Sequence, residues 1–403
     1  MTEPSFAPLN VLREDVALPA CVLRSGELDR NLTRFQRFCD EAGVLLAPHA
    51  KTSMTPALFK RQLAAGAWGL TFASMAQVRV ARQHGVGRVF YANELVGAGD
   101  IRYVCAELRG DPDFDFYCLA DSVAGVELLA ERVASADPGR RINVLVECGL
   151  PGGRCGVRDV ASAVEVAEAV HAASAQLALA GVEGFEGLVQ ASEANTHEAE
   201  VREFLAFLVA AARAIDGRDL FDRRDILLSA GGSAYFDLVI DELRPASLSR
   251  PHHVVLRSGC YLIHDRGKYE QLLADLHQRA HRDEPVLEAA LEVWAQVLSA
   301  PEPGLIILSA GRRDFGHDAG NPVAVTHVAR GSQARRSLRD AGWEMIGLSD
   351  QHAHMAVPPG HGVKVGDLVA LGPSHPCTTL DKWRTIYLVD DDYYVTEAAE
   401  TCF

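Results

Sequence analysis

The sequence is poor in positive charge and contains no long apolar run. It has 39 lysine and arginine residues against 54 acidic residues, a formal net charge of −15, and only five of the basic residues are lysines. Proteins that bind nucleic acids neutralise phosphates with basic side chains, so this balance excludes that class. The longest apolar runs, Gln176–Val182 and Gly304–Ala310, are far shorter than the roughly 20 residues needed to span a bilayer. We therefore expect neither a nucleic-acid partner nor a membrane segment.

The nine cysteines follow no regular spacing, and the first residues lack the basic region and apolar run of a secretory signal. An odd, scattered set of thiols without a signal peptide is typical of a reducing compartment and not of a disulfide framework. With 403 residues, of which 48% are apolar, the chain can bury a large core, and two domains are expected. These observations predict an acidic, cytoplasmic protein of enzyme size.

Between about residues 19 and 260, short apolar runs that are typical of strands alternate with longer helical patterns. The candidate strands begin with Ala20–Leu23 and end with Val254–Arg257, and helical segments such as Ser25–Ala42 carry apolar residues three and four positions apart. This alternation predicts βαβ units and a parallel sheet. About eight such units favour a closed (β/α)8 barrel, whose functional groups lie at the carboxyl ends of the strands. A doubly wound open sheet is the main alternative.

After about residue 285 the pattern changes to strand-like runs that are separated by Gly, Pro and Asp turns, with few helical patterns. Such a pattern predicts a mostly antiparallel β domain that the extreme N-terminus joins. We therefore expect a barrel over residues 19–280 and a β domain over residues 281–403 that also includes residues 1–18.

A lysine follows the second candidate strand, in the segment Ala47-Pro-His-Ala-Lys51-Thr-Ser. At the carboxyl end of a barrel strand, such a lysine is placed to form a Schiff base with pyridoxal phosphate. The alternative for Lys51 taken alone is an ordinary surface charge at a strand end.

Three turns rich in small residues follow later strands. The first, Gly149–Gly156, presents Arg154, and arginine can hold a phenolate or a carboxylate. The other two are Gly231-Gly232-Ser233 and Gly259-Cys260-Tyr261. Backbone N–H groups in such turns after the last strands of a barrel form a common phosphate site, although ordinary tight βα turns have a similar composition.

The β-rich region contains Ser374-His375-Pro-Cys377 and, earlier, the segment Ser349-Asp350-Gln-His352-Ala-His354, whose role the sequence leaves open. A histidine and a thiolate that are one residue apart suit Zn²⁺. Two ligands do not complete a structural site, so a metal bound here would keep the open positions of a catalytic centre. A His-x-Cys pair also occurs without any metal.

Together these segments resemble the D-serine dehydratase and D-threonine aldolase family of pyridoxal phosphate enzymes, whose barrel is of the alanine racemase type. The matching segments run in family order over nearly the whole chain and are Pro48–Thr52, Gly153–Gly156, Gly184–Gly187, Ser229–Ser233, Gly259–Tyr261 and His375–Thr379. The resemblance implies an N-terminal (β/α)8 barrel that holds the cofactor and a C-terminal β domain that supplies metal ligands.

The resemblance also implies roles for individual residues. Lys51 would be the Schiff-base lysine with His49 beside it, and Arg154 would contact the phenolic oxygen of the cofactor ring. The metal, Zn²⁺ in preference to Mn²⁺, would be bound by His375 and Cys377. The phosphate would be surrounded by Gly231, Gly232, Ser233, Gly259, Cys260 and Tyr261. The chain departs from the family at Ser53, where a histidine often stands, and in the length of the turn before Arg154.

The implied activity is that of a lyase acting on small D-3-hydroxy amino acids, and a homodimer is expected by analogy. The His-x-Cys pair favours dehydration to a 2-oxo acid and ammonia, because aldolases of the family often carry Asp where Cys377 stands. Retro-aldol cleavage stays open, since both reactions use one site. Two alternatives are an amino-acid racemase, which would need a second base such as Tyr387, Tyr393 or Tyr394, and a non-catalytic pyridoxal phosphate carrier, against which the C-terminal region argues.

Overall fold

The computed structural model describes residues 8–190, 196–279 and 285–403. It divides into two units. One, the barrel unit, consists of Gln36–Lys51 and Phe59–Gly259; the other, the β unit, consists of the described residues up to Phe35 together with Thr52–Leu58 and Cys260–Phe403. Among the described residues, no helix combines the length and the apolarity that crossing a membrane requires.

The first strand along the chain belongs to the β unit, and the parallel strands of the barrel unit come after it. The first strand is β1 (Ala20–Arg24), and the parallel strands are β2 (Leu45–Leu46), β3 (Leu70–Phe72), β4 (Arg88–Glu94), β5 (Asp115–Ala120), β6 (Ile142–Cys148), β7 (Leu177–Gly184), β8 (Ile226–Ala230) and β9 (His252–Leu256). The helices along the chain are α1 (Ser25–Ala42), α2 (Pro56–Ala64), α3 (Met75–Gln83), α4 (Ala98–Gly110), α5 (Val123–Ala136), α6 (Val160–Ala172), α7 (His197–Asp216), α8 (Phe236–Leu243), α9 (Lys268–Arg279) and α10 (Pro376–Leu380).

The parallel sheet is closed. Its order is β2-β9-β8-β7-β6-β5-β4-β3, and the two end strands meet where His49 and Thr71 form a parallel bridge. The N–H of Thr71 donates to the carbonyl of Pro48 at 2.8 Å, and that of Trp68 donates to Leu46 at 2.7 Å. The prediction of a (β/α)8 barrel is therefore confirmed, and the open doubly wound sheet is excluded.

The barrel strands are apolar because helices cover them outside and side chains fill the interior. Every residue of β6 and β7 is buried, as expected for parallel strands that are covered on both faces. Gly181 in β7 is required by close packing, since a Cβ there would lie 1.9 Å from the carbonyl oxygen of Leu227. The interior is packed by Ala47, Phe90, Tyr117, Leu119, Leu145, Ala180, Leu227 and Val255.

Side-chain caps define where several of the covering helices begin. Ser74, Ser122, Asp159 and Thr196 precede α3, α5, α6 and α7, and each accepts a hydrogen bond from a backbone N–H in the first turn of its helix. These caps satisfy backbone donors that have no partner within the helix.

The β unit contains a mostly antiparallel sheet. Its order is β13-β12-β16-β10-β1-β17-β18, with β11, β14 and β15 attached through β10. The strands are β10 (Leu291–Glu302), β11 (Leu305–Leu308), β12 (Val323–Val328), β13 (Arg335–Ser337), β14 (Glu344–Leu348), β15 (Ala353–Ala356), β16 (Leu368–Gly372), β17 (Thr385–Val389) and β18 (Val395–Glu400). The N-terminal segment joins this unit, since the N–H of Val11 donates to the carbonyl of Tyr393 at 3.1 Å. The predicted mostly antiparallel domain is confirmed.

One strand assignment from the sequence is wrong. Ala20–Leu23, which heads the βα series in the sequence pattern, pairs antiparallel with β10 and parallel with β17. Four of the five residues of β1 are buried. A short buried strand has the same apolar sequence pattern in a parallel and in an antiparallel sheet, so the sequence does not show which sheet it joins.

Candidate functional site

Lys51 lies just past the carboxyl end of a barrel strand, as the sequence predicts. It is the central residue of a single-turn 3-10 helix, Ala50–Thr52, that follows β2, and it is half-buried. The backbone N–H of His49 donates to the carbonyl of Arg257 at 3.2 Å. This hydrogen bond joins the end of β2 to the end of β9, so the barrel itself fixes the position of the chain next to Lys51.

The imidazole of His49 is uncharged in this environment. Burial lowers the pKa of His49 well below its usual range, and the positive charges of Lys51, Arg257 and Arg154 lower it further. Its Nδ1 atom is buried and, within the described part of the chain, has no hydrogen-bond partner. Leaving a buried polar atom unpaired costs free energy, so Nδ1 marks a place where a bound molecule can supply the missing partner.

Arg257 is the buried cation at this end of the barrel. It directly follows β9, is 5% exposed, and forms an ion pair with Glu183 of β7. Its Nη2 donates to the carbonyl of Gly184 at 2.7 Å, and its guanidinium carbon lies 5.0 Å from the centroid of the Phe90 ring. Burial raises the pKa of Glu183, an effect that Arg257 opposes. The sequence analysis missed both residues; the available signal was a charged residue at the end of an otherwise apolar strand.

A second group of acidic side chains stands at neighbouring strand ends. One carboxylate oxygen each of Glu94 and Asp121 and the Sγ atom of Cys155 lie within 4.8 Å of one another. Glu147, at the end of β6, is buried nearby; burial raises its pKa, and the charge of Glu183 raises it further. The sequence analysis missed this group as well, because its members come from three different strand ends.

The turn after β6 presents Arg154 at the surface. Cys148 and Val157 form a parallel bridge that closes this turn on the strand. Gly156 has φ +99°, and a Cβ there would lie 2.5 Å from a neighbouring backbone nitrogen, so the fold requires glycine. The guanidinium carbon of Arg154 lies 5.1 Å from the centroid of the Phe185 ring. The charge of Arg154 also acts on the predicted site histidine, so the structure brings Arg154 to the same end of the barrel.

The turn after β8 contains Gly231, Gly232 and Ser233. The first two are buried and Ser233 is half-buried. The N–H groups of Gly231 and Gly232 donate to the two carboxylate oxygens of Glu186, at 3.0 and 2.6 Å. The hydroxyl of Ser258 donates to the carbonyl of Gly232 at 2.8 Å, which ties this turn to the next. The backbone N–H groups of Gly231 and Gly232, two of the six residues that the resemblance places around the phosphate, are thus used by a side chain of the protein.

The last predicted turn is divided between the two units. Gly259 is the final residue of the barrel unit and is buried, whereas Cys260 and Tyr261 belong to the β unit. The ring of Tyr261 is 0% exposed and stacks on Phe35, with ring centroids 4.4 Å apart. Tyr261 therefore contributes to packing in the β unit.

In the β unit, His375 and Cys377 lie at the start of α10. His375 Nδ1 donates to Asp318 at 2.7 Å, and the hydroxyl of Thr378 donates to the other oxygen of Asp318 at 2.7 Å. The Sγ of Cys377 lies 3.4 Å from the hydroxyl oxygen of Thr52. A carboxylate on one imidazole nitrogen fixes the tautomer that offers the other nitrogen to a metal. The sequence analysis missed Asp318, although it found both candidate ligands.

The electrostatics of this pair favour a thiolate. A hydrogen bond with Cys260 lowers the pKa of Cys377 well below its usual range; burial opposes this change, and hydrogen bonds with His375 and Thr52 reinforce it. The hydrogen bond with Cys377 raises the pKa of His375 to about 9, and Asp318 acts in the same direction. Thiolate and imidazole within hydrogen-bond range form a donor pair suited to a soft divalent cation.

The other histidine-rich segment contains Asp350, His352 and His354. Asp350 is exposed and its nearest ionic contact is Arg313 at 3.6 Å, while His354 Nε2 lies 3.2 Å from the hydroxyl of Ser349. His352 is exposed. In the described ranges, none of these side chains joins a cluster of three or more groups that could hold a metal.

Of the tyrosines considered as a second base, Tyr393 is buried in the core. It is 1% exposed, and its hydroxyl donates to Glu292 at 2.9 Å. Burial and the charge of Glu292 raise the pKa of Tyr393, so its hydroxyl is a poor base near neutral pH. Tyr387 and Tyr394 are half-buried in the same unit.

Comparisons with known proteins agree with the resemblance. Residues 290–389 match the family model described as "Putative serine dehydratase domain". The D-threonine aldolase of Arthrobacter sp. is 26% identical over 378 residues, which cover 93% of this chain and 90% of the relative. The crystal structure of D-threonine aldolase from Filomicrobium marinum has a TM-score of 0.79 and 25% identity, and the match covers 99% of this chain and 98% of that one.

The chain is thus similar over nearly its whole length to D-threonine aldolases, and its residues 290–389 match a serine dehydratase family model. A third relative, the D-threo-3-hydroxyaspartate dehydratase of Delftia sp. strain HT23, is 30% identical over 139 residues, 34% of this chain and 35% of the relative. Both kinds of named relative, aldolase and dehydratase, are lyases. The prediction that the chain is an enzyme of the lyase class is borne out by these relatives.

Proposed function

We propose that the chain is a pyridoxal phosphate- and metal-dependent lyase of D-3-hydroxy amino acids, and that it dehydrates them to a 2-oxo acid and ammonia. The observation that carries the choice of reaction is the pair of His375 and Cys377, which Asp318 orients through a 2.7 Å hydrogen bond. The homodimer and the cytoplasmic location stay predictions.

The barrel end fits pyridoxal phosphate. A half-buried lysine stands at a strand end, next to a neutral imidazole whose buried Nδ1 lacks a partner in the described residues. Arg257 and Arg154 add positive charge around this position, which suits an anionic ligand. Lys51 would hold the cofactor covalently, and Arg154 would contact its phenolic oxygen. Ser233 and Gly259 would be among the groups around its phosphate.

The residues at α10 fit a divalent metal. The lowered pKa of Cys377 supplies a thiolate ligand, and because Asp318 holds Nδ1 of His375, Nε2 is the nitrogen that would bind the metal once it loses its proton. A thiolate ligand favours Zn²⁺ over Mn²⁺. Two protein ligands leave coordination positions for the substrate, as a catalytic centre requires.

The chemistry divides between bound groups and side chains. When bound, pyridoxal phosphate withdraws electrons from the substrate Cα and weakens a bond at that atom. His375 and Cys377 would hold a metal, which would act as a Lewis acid on the β-hydroxyl. Lys51, once its amine is released, removes the proton from the substrate Cα. The neutral His49 and the Arg257–Glu183 pair fix the charges at this end of the barrel.

Dehydration removes the Cα hydrogen and the β-hydroxyl, and hydrolysis of the product gives the 2-oxo acid and ammonia. Solved structures of D-threo-3-hydroxyaspartate dehydratase include a cysteine-to-alanine variant in the metal-free form and a histidine-to-alanine variant, and the two altered positions are two residues apart in sequence. His375 and Cys377 have the same spacing. This match supports dehydration.

Retro-aldol cleavage is the second candidate, because the Arthrobacter aldolase is similar over 93% of this chain. In that reaction a base removes the hydroxyl proton, and the Cα–Cβ bond breaks to give glycine and an aldehyde.

The proposal is tested with purified protein, pyridoxal phosphate and Zn²⁺. We expect D-serine to yield pyruvate and ammonia in equal amounts. Release of formaldehyde and glycine as the main products would favour the aldolase, and turnover of neither D-serine nor D-threonine would contradict the proposal.

A further inference from the structure

Glu186 accepts the backbone hydrogen bonds of the turn that follows β8. It begins a 3-10 helix, Glu186–Leu188, just after β7, and is 1% exposed. Its two oxygens accept the N–H groups of Gly231 and Gly232 at 3.0 and 2.6 Å. Two adjacent N–H groups directed at two oxygens of one anion form the arrangement by which backbone turns hold phosphates.

The turn is fixed on its other side as well. The hydroxyl of Ser258 donates to the carbonyl of Gly232, and a Cβ on Gly231 would lie 2.4 Å from the ring of Phe185. Gly232 has φ +66°, which favours glycine. The two glycine N–H groups and the carbonyl of Gly232 are therefore paired, and close packing restricts a rearrangement around Gly231.

A phosphate cannot share these two N–H groups with Glu186. Each N–H already has an acceptor, and a second anion beside a buried carboxylate would be repelled by it. Either the cofactor phosphate displaces Glu186, or it uses other donors. Displacement would leave Glu186 buried without these hydrogen bonds, next to Phe185 and beneath the turn, which is unfavourable for a charged side chain.

We propose that Glu186 is a positioning residue that holds the Gly231–Gly232 turn permanently, and that the cofactor phosphate is bound by the groups which this turn positions, Ser233 and the linked Ser258–Gly259 turn. The proposal rests on the proposed function, because it assumes that the barrel binds pyridoxal phosphate. It assigns Glu186 to the support of the phosphate site and not to contact with the phosphate.

The experiment measures binding to the cofactor-free protein. Dissociation constants for inorganic phosphate and for pyridoxal phosphate are determined for the wild type, Glu186→Ala and Glu186→Gln, with Glu127→Ala, an exposed residue of α5, as the control. Near-ultraviolet circular dichroism establishes that each variant is folded. We expect Glu186→Ala to weaken both affinities about tenfold or more. Glu186→Gln, which keeps one acceptor oxygen, should recover part of the loss, and the control should match the wild type.

Tighter phosphate binding by Glu186→Ala would overturn the proposal, because it would mean that Glu186 competes with the phosphate. Unchanged affinities in a folded variant with a lower melting temperature would also overturn it, since Glu186 would then act on stability alone. If Glu186→Ala does not fold, the phosphate affinity of Glu186→Gln decides the question. Weaker binding supports the proposal, and tighter binding overturns it. Absence of pyridoxal phosphate binding by the wild type would instead contradict the proposed function.

Discussion

His375 donates a hydrogen bond from Nδ1 to Asp318, at 2.7 Å, across 57 positions of the sequence. The same carboxylate accepts the hydroxyl of Thr378, so Asp318 is itself held in place from a second direction. This arrangement gives the histidine one orientation and one tautomer, which is the support that metal-binding histidines require.

We predict that Asp318→Asn weakens metal binding about 10- to 100-fold, the usual cost of losing such a carboxylate. Zn²⁺ affinity is measured by competition with a chromogenic chelator. Asp350→Asn is the matched control, because Asp350 is an exposed aspartate of the same unit whose ionic partner is Arg313. Equal affinities for the wild type and Asp318→Asn would show that the carboxylate does not support a metal ligand.

Removal of the metal should abolish turnover but not cofactor binding. We expect His375→Ala, Cys377→Ala and chelated wild type each to lose about a hundredfold or more in kcat, because the Lewis acid supplies several kcal/mol to the departure of the hydroxyl. The cofactor absorbance should stay as in the untreated enzyme. Full activity after chelation, with metal analysis confirming its removal, would contradict the metal's role.

Lys51 should carry the cofactor. Borohydride reduction followed by peptide mapping is expected to place the label on Lys51. Lys51→Ala should bind pyridoxal phosphate only noncovalently and should show no turnover. Lys60→Ala, which changes an exposed lysine of α2, should be labelled and active like the wild type. A label on Lys60 or on another lysine would show that the covalent assignment is wrong.

Acid stability should depend on Glu288. Hydrogen bonds from Arg30 and Arg34 lower the pKa of Glu288 to about 2, although burial opposes this. Because the pKa is lower in the folded state, this contribution to stability is present above the ordinary glutamate pKa and is lost as the pH falls towards 2. We expect Glu288→Gln to be less stable than the wild type at pH 7, with the difference disappearing between pH 4.5 and 2.

Urea unfolding curves at several pH values measure this effect. Glu41→Gln is the control, since Glu41 is 72% exposed and its contact with Arg37 is 3.7 Å long. A difference between the wild type and Glu288→Gln that persists unchanged down to pH 2 would show that the stabilisation does not come from the charged carboxylate.

One substrate enantiomer should be strongly preferred. A single lysine reaches one face of a planar adduct, and a misplaced reacting group costs a hundredfold or more in rate. The family resemblance indicates the D form. Values of kcat/KM for D- and L-serine and for the four threonine stereoisomers decide the point, and comparable rates for D and L forms would indicate a second base on the opposite face.

Local patterns in the sequence predicted the barrel and the antiparallel unit, since alternation and turn residues report on neighbouring positions. They also predicted Lys51, His375 and Cys377, which stand in short contiguous motifs, and the family resemblance added His49. The supporting residues were missed because their partners are distant in sequence: Glu186 meets Gly231 across 45 positions. Such pairs form only when the fold brings strand ends together, and no local pattern encodes them.

The choice of reaction is tested most directly with D-threonine uniformly labelled with ¹³C, the holoenzyme and Zn²⁺, by following the products with NMR. Dehydration converts this substrate to 2-oxobutanoate and ammonia with all four carbons in one product, whereas aldol cleavage divides them between glycine and acetaldehyde. We predict 2-oxobutanoate as the main labelled product, and its loss on chelation. Labelled glycine and acetaldehyde as the main products would contradict the proposed dehydratase activity.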